Sequence, residues 1–167
     1  MRLGKTTLLV IGLGNPIMGD DGVGIYVVRL LRENLPGAGV EFKELSLGGL
    51  RLVEELLGYE RVFIIDSVAS DGDPGEISEL TPEQLKDSQY TGSPHGTNFA
   101  TALELYRKLA TQELPKTIRI FTIGINPEYT FNERLTPAVQ KAALELVTSV
   151  TKKIMETQNV TNAPLPS

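Results

Sequence analysis

Three apolar runs constrain this chain most: TLLVIG at Thr7–Gly12, RVFIID at Arg61–Asp66 and TIRIFTIG at Thr117–Gly124. A short continuous apolar run of this kind suits a strand buried on both faces, as in a parallel sheet. The segments between them carry apolar residues at helical spacing. Val23, Val27, Leu30, Leu31 and Leu35 share one face of a helix expected over about Asp21–Asn34, ended by Pro36 and Gly37. Phe99, Ala102, Leu103 and Tyr106 do the same for a helix over about Gly96–Leu109. Thr136-Pro137 opens a last helix to about Glu156, with Val139, Ala143, Leu146, Val150 and Ile154 turned inward.

Shorter signals fill the rest. Val40–Leu45 alternates and reads as a second strand, and Leu50–Leu57 as a helix between glycines. Pro74-Gly75 is a turn signal before a short edge strand, Glu76–Leu80. Thr81-Pro82-Glu83-Gln84 has the form of a capping box and predicts a short helix. Strands alternating with helices define an α/β protein: a single three-layer α/β/α domain around a mostly parallel sheet. The expected domain is residues 1–156, and residues 157–167, which lack a burial pattern, form a disordered tail.

Composition narrows the function. The 167 residues suit one domain, and 41% hydrophobic residues suffice for a core. A net charge of −5 without a Lys/Arg cluster argues against nucleic acid and favours a neutral or basic partner surface. With no cysteine, disulfides, thiolate metal sites and a cysteine nucleophile are excluded. No apolar run approaches the roughly 18 residues of a membrane helix. The start, MRLGKTTLLVIGLGNP, reads as a core strand rather than a signal peptide, so cytoplasm is the expected location.

Ligands of open α/β sheets bind at the carboxyl ends of the strands. Asp20 and Asp21 follow the first strand, Asp66 ends the third, and His95, the chain's one histidine, precedes a helix leading to the fifth. Neighbouring strands lie about 4.8 Å apart, so these side chains can converge. Two carboxylates and an imidazole suit Zn²⁺, Ni²⁺ or Mn²⁺ and leave coordination positions open. Without a cation, paired carboxylates force one to take a proton. One of Asp20 and Asp21 is expected to cap the first helix. The glycines at 12, 14, 19, 22 and 24 do not make a nucleotide cradle: Ile17 stands where the third glycine of G-x-G-x-x-G belongs, and no P-loop lysine follows.

The stretch IGLGNPIMGDDGVG (11–24) resembles the opening motif of the hydrogenase maturation endopeptidases. FIIDS (63–67) and SPH (93–95) look like that family's second and third motifs, and Gly48-Gly49 and GINPE (124–128) fall where it has similar segments. The resemblance implies a five-stranded, phosphorylase/hydrolase-like sheet with one antiparallel edge strand, a role that Glu76–Leu80 fits. It implies an endopeptidase that removes a C-terminal extension from the large-subunit precursor of a [NiFe] hydrogenase after nickel insertion. By motif position Asp21, Asp66 and His95 would contact that nickel, leaving Asp20 to capping or support. The nickel would arrive with the precursor, and another divalent ion could substitute in vitro; the enzyme itself would be a monomer or weak dimer.

Peptide hydrolysis needs a nucleophile, oxyanion stabilisation and a proton for the leaving amine. With cysteine absent and His95 committed to metal, a Ser-His-Asp triad is hard to assemble. Water remains, activated by the metal or by Asp21 or Asp66 as general base. Two other functions compete. IGLGNP is also similar to the start of the peptidyl-tRNA hydrolases, but GDDGVG stands where they carry Thr-Arg-His-Asn, and acidity disfavours tRNA. A non-catalytic nickel-sensing module would bind a precursor without shortening it.

Overall fold

The computed structural model describes residues 8–87, 98–109, 113–128 and 130–161. Five strands form one sheet in the order β2-β1-β3-β5-β4: β1 Leu8–Leu13, β2 Val40–Leu45, β3 Arg61–Ala69, β4 Ile77–Leu80 and β5 Thr117–Ile125. All neighbours are parallel except β4, which runs antiparallel to β5 at the edge. The helices are α1 Val23–Asn34, α2 Gly49–Leu56, α3 Phe99–Leu109 and α4 Pro137–Thr161.

Side chains of the central strands alternate between two cores, as period-two strands buried on both faces must. Leu8 and Val10, Phe63 and Ile65, and Phe121 and Ile123 pack against α1 and α4. Leu9 and Ile11, Val62 and Ile64, and Ile118 and Ile120 pack against α2 and α3. The helical faces expected from spacing are the buried ones: Val139, Ala143, Leu146, Val150 and Ile154 of α4 are all within the core. Among the described residues no helix is long and apolar enough to cross a membrane.

Three expectations are corrected, and the capping box is met by a short helix of the 3-10 kind. β3 runs through Asp66 to Ala69, because β5 offers Thr122–Ile125 as ladder partners for those last residues. A one-turn 3-10 helix, Gly19–Gly22, precedes α1, whose N-cap is Gly22 without a side-chain cap, so neither aspartate caps that helix. The capping box opens a 3-10 turn, Pro82–Asp87, held by Gln84 Oε1 accepting from the Thr81 amide at 2.8 Å. Helix α4 continues to Thr161, so residues 157–161 are helical rather than tail, while 162–167 lie outside the described residues.

Candidate active site

The carboxyl ends of β1, β3 and β5 lie side by side, because those strands are neighbours. The turn after β1 is drawn tightly onto them by absent side chains. A methyl group on Gly24 would overlap the carbonyl oxygens of Ile65 and Leu13, so only glycine lets the start of α1 sit against β3 at the residue before Asp66. Gly14, at φ +138°, likewise passes against the carbonyl of Asp21.

Within this turn the two aspartates diverge. Asp21 Oδ2 accepts a hydrogen bond from the Asn15 amide at 2.8 Å, which folds its carboxylate back over the loop. Asp20 turns to the other end of the chain: Oδ1 accepts from the Thr136 amide at 2.7 Å and Oδ2 from the Thr136 hydroxyl at 2.8 Å. The loop between β5 and α4 is bound to the same turn through its backbone. Gly19 N donates to Asn132 O at 2.5 Å, and Asn132 N donates to Ile17 O at 2.9 Å.

These two loops and the end of β3 enclose a cleft of about 410 Å³. Asp21 and Ser67 line it, with Met18, Val68 and Ile125 supplying apolar surface and Asn15, Asn126, Glu128, Asn132 and Arg134 polar groups. The volume falls in the range of about 300–1,000 Å³ usual for pockets that enclose small ligands.

Asp66 is fully buried (0% exposed), and its Oδ1 accepts from the Ser67 amide at 2.8 Å. Two residues on from Ile64, it faces the α2–α3 side, in register with Thr122 of β5. Ser67 takes the opposite face and lines the cleft. The structure thus brings the turn carrying Asp21 against the strand carrying Asp66, but Asp21 lines the cleft whereas Asp66 turns to the opposite face of the sheet and is not among its lining residues. His95 lies within 88–97, outside the described residues. Among the described residues no three carboxylate or imidazole side chains cluster closely enough to hold a metal ion.

Sequence reasoning gave Ser67 no site role and missed most of the wall between Asn126 and Arg134. The wall is a loop without periodicity, and GINPE was its one sequence signal. A brace lies behind the site: Glu44 of β2 is bonded by Arg29 at 2.9 Å and Arg32 at 2.8 Å, both on α1. The hydrogen bond from Arg29 is the chief cause holding the Glu44 carboxyl below its usual range; burial opposes it and Arg32 adds to it.

Comparison with known proteins agrees with this architecture. The family model described as "Hydrogenase maturation protease" matches residues 25–153. A putative hydrogenase maturation protease of Methanocaldococcus jannaschii is 28% identical over 163 residues, covering 89% of this chain and 99% of that protein. The hydrogenase 2 maturation protease of Escherichia coli is 29% identical over 126 residues, covering 72% of this chain and 73% of the relative. The solved structure of the hydrogenase maturating endopeptidase HybD from E. coli superposes with a TM-score of 0.71 at 26% identity, over 90% of this chain and 93% of that one. The α/β fold is the one shared by that solved maturation endopeptidase, and this chain belongs to the hydrogenase maturation protease family.

Proposed function

We propose that this protein is the endopeptidase that removes a C-terminal extension from the large-subunit precursor of a [NiFe] hydrogenase, with nickel already in the precursor as its recognition device. The observation that carries the proposal is the placement of Asp21 in a cleft of about 410 Å³ at the carboxyl edge of the sheet, on a turn packed against the strand that holds buried Asp66. Membership of the family supplies the reaction class, and the names of the relatives support it.

Asp21, Asp66 and His95 would complete the coordination of the precursor's nickel and so place the adjacent scissile bond. Imidazole suits nickel, and carboxylates add charge compensation. Either carboxylate then serves as general base: it takes a proton from water as the water oxygen attacks the carbonyl carbon, and the proton passes to the leaving amine. Tying recognition to the metal makes cleavage conditional on nickel insertion, and a divalent ion of similar preference should substitute in vitro. The reaction belongs in the cytoplasm, with the enzyme a monomer or weak dimer. No nucleic acid takes part.

Alanine at Asp21, Asp66 or His95 is expected to abolish processing while far-UV circular dichroism stays that of the parent. Normal processing by all three folded variants would end the proposal. Binding of the nickel-loaded precursor without a shortened product would mark a sensing module instead.

A further inference from the structure

Asp20 stands next to Asp21 and lines the same cleft, yet both of its carboxylate oxygens are taken by Thr136. Only 9% exposed, it gives both oxygens to Thr136, 116 residues away, at 2.7 and 2.8 Å. Its own helix does not use it, since α1 begins at Val23 with Gly22 as N-cap and no side-chain cap. The same two segments are joined again by the paired backbone bonds between Ile17–Gly19 and Asn132. Asn132 Oδ1 in turn accepts from the Arg134 amide at 2.9 Å, stiffening the loop between those anchor points.

The cleft lies between the segments so joined, with Asp21 on one wall, Asn132 and Arg134 on the other, and Asp20 and Thr136 themselves part of the lining where the two segments meet. Asp20 and Asp21 share a single 3-10 turn, so a force on one backbone position acts on the other. From this we infer that Asp20 is a positioning residue: its staple to Thr136 sets the cleft's width and the place of Asp21 together. A buried carboxylate with two short charge-assisted bonds is a stiff link, and a link closing so long a stretch of chain holds two loops that local structure would leave independent. Capping α4 is the alternative use of the same bonds, since a carboxylate at a helix N-terminus is favourable in itself. The two roles part in what they predict. A cap affects stability alone, whereas a positioning staple affects folded protein far below its melting temperature.

The inference rests on the proposed function for its catalytic consequence, so the test has two arms. In the first, amide hydrogen exchange is followed in the parent chain, Asp20→Ala, Thr136→Val and Thr136→Ser. Removing the carboxylate or the hydroxyl should speed exchange at both Gly19 and Asn132 by about tenfold, as local opening does. Serine should restore protection. In the second arm, processing of nickel-loaded precursor is measured at 25 °C on variants shown to be folded. Asp20→Ala should lose about 100-fold in kcat/KM, the scale of a misplaced site. Thr136→Val should lose about tenfold, from one bond to a charged acceptor. Thr136→Ser should stay near the parent, and the Asp20→Ala/Thr136→Val double variant should be no worse than Asp20→Ala.

Parent-like processing by folded Asp20→Ala, with only its melting temperature lowered, would overturn the inference in favour of a cap. Unchanged exchange at Gly19 when Thr136 is altered would overturn the staple itself. If the parent chain leaves the precursor intact, the proposed function falls, and the exchange arm decides the staple alone.

Discussion

Gly24 of α1 lies so close to the carbonyl oxygen of Ile65 in β3 that a methyl group has no room between them. Through this contact the glycine-rich turn reaches the strand of Asp66. Gly24→Ala must push backbone against backbone, which yields less than a side chain would. A loss of about 1–3 kcal/mol or more is expected, as for overpacked cores, read from urea unfolding. Gly72→Ala, in open space, should stay within about 0.5 kcal/mol.

Phe63 and Phe121 meet edge to face across β3 and β5, with centroids 5.5 Å apart and planes at 77°. Both are buried against α1 and α4. Phe121→Ala should therefore cost about 3–5 kcal/mol in chemical denaturation. Phe131, 85% exposed on the cleft's outer loop, is the control: Phe131→Ala should change stability by no more than about 0.5 kcal/mol.

The Glu44 brace carries a pH signature. Its folded carboxyl is held below the ordinary value, chiefly by the Arg29 hydrogen bond. The unfolded chain therefore binds the proton more readily, and stability from this group is present above the unfolded pKa and lost as pH falls through the folded one. The side chain is a quarter exposed, so solvent screening limits the contribution to about 1 kcal/mol or less. Glu44→Gln should flatten the acid limb of a stability–pH curve by that amount and leave neutral-pH spectra unchanged.

The architecture was legible because its signal is periodic. Buried strands show as apolar runs and helices as apolar stripes, so the strand segments and the helix faces could be read from TLLVIG, RVFIID, TIRIFTIG and the residues between, whereas the antiparallel direction of the edge strand came only from the family resemblance. Boundaries were less legible: the ladder carried β3 past Asp66 to Ala69 because β5 supplied partners, which no local signal in SVA announces. The use of Asp20 was invisible for another reason. Spacing suggested a cap on the neighbouring helix, whereas its partner Thr136 is set by tertiary packing of a loop far along the chain. Ser67 was quoted within FIIDS but given no role in the site, because β3 was expected to end at Asp66, and only the ladder shows that Ser67 lies inside β3 and faces the cleft.

The most direct measurement is a mass-resolved processing assay, in which the purified chain is incubated with the large-subunit precursor in nickel-loaded and metal-free forms. The account predicts that the nickel-loaded precursor alone loses a C-terminal peptide, at one bond, and that Asp21→Ala prevents it. Equal cleavage of the metal-free precursor, or none of the nickel-loaded form by the intact chain, would contradict it.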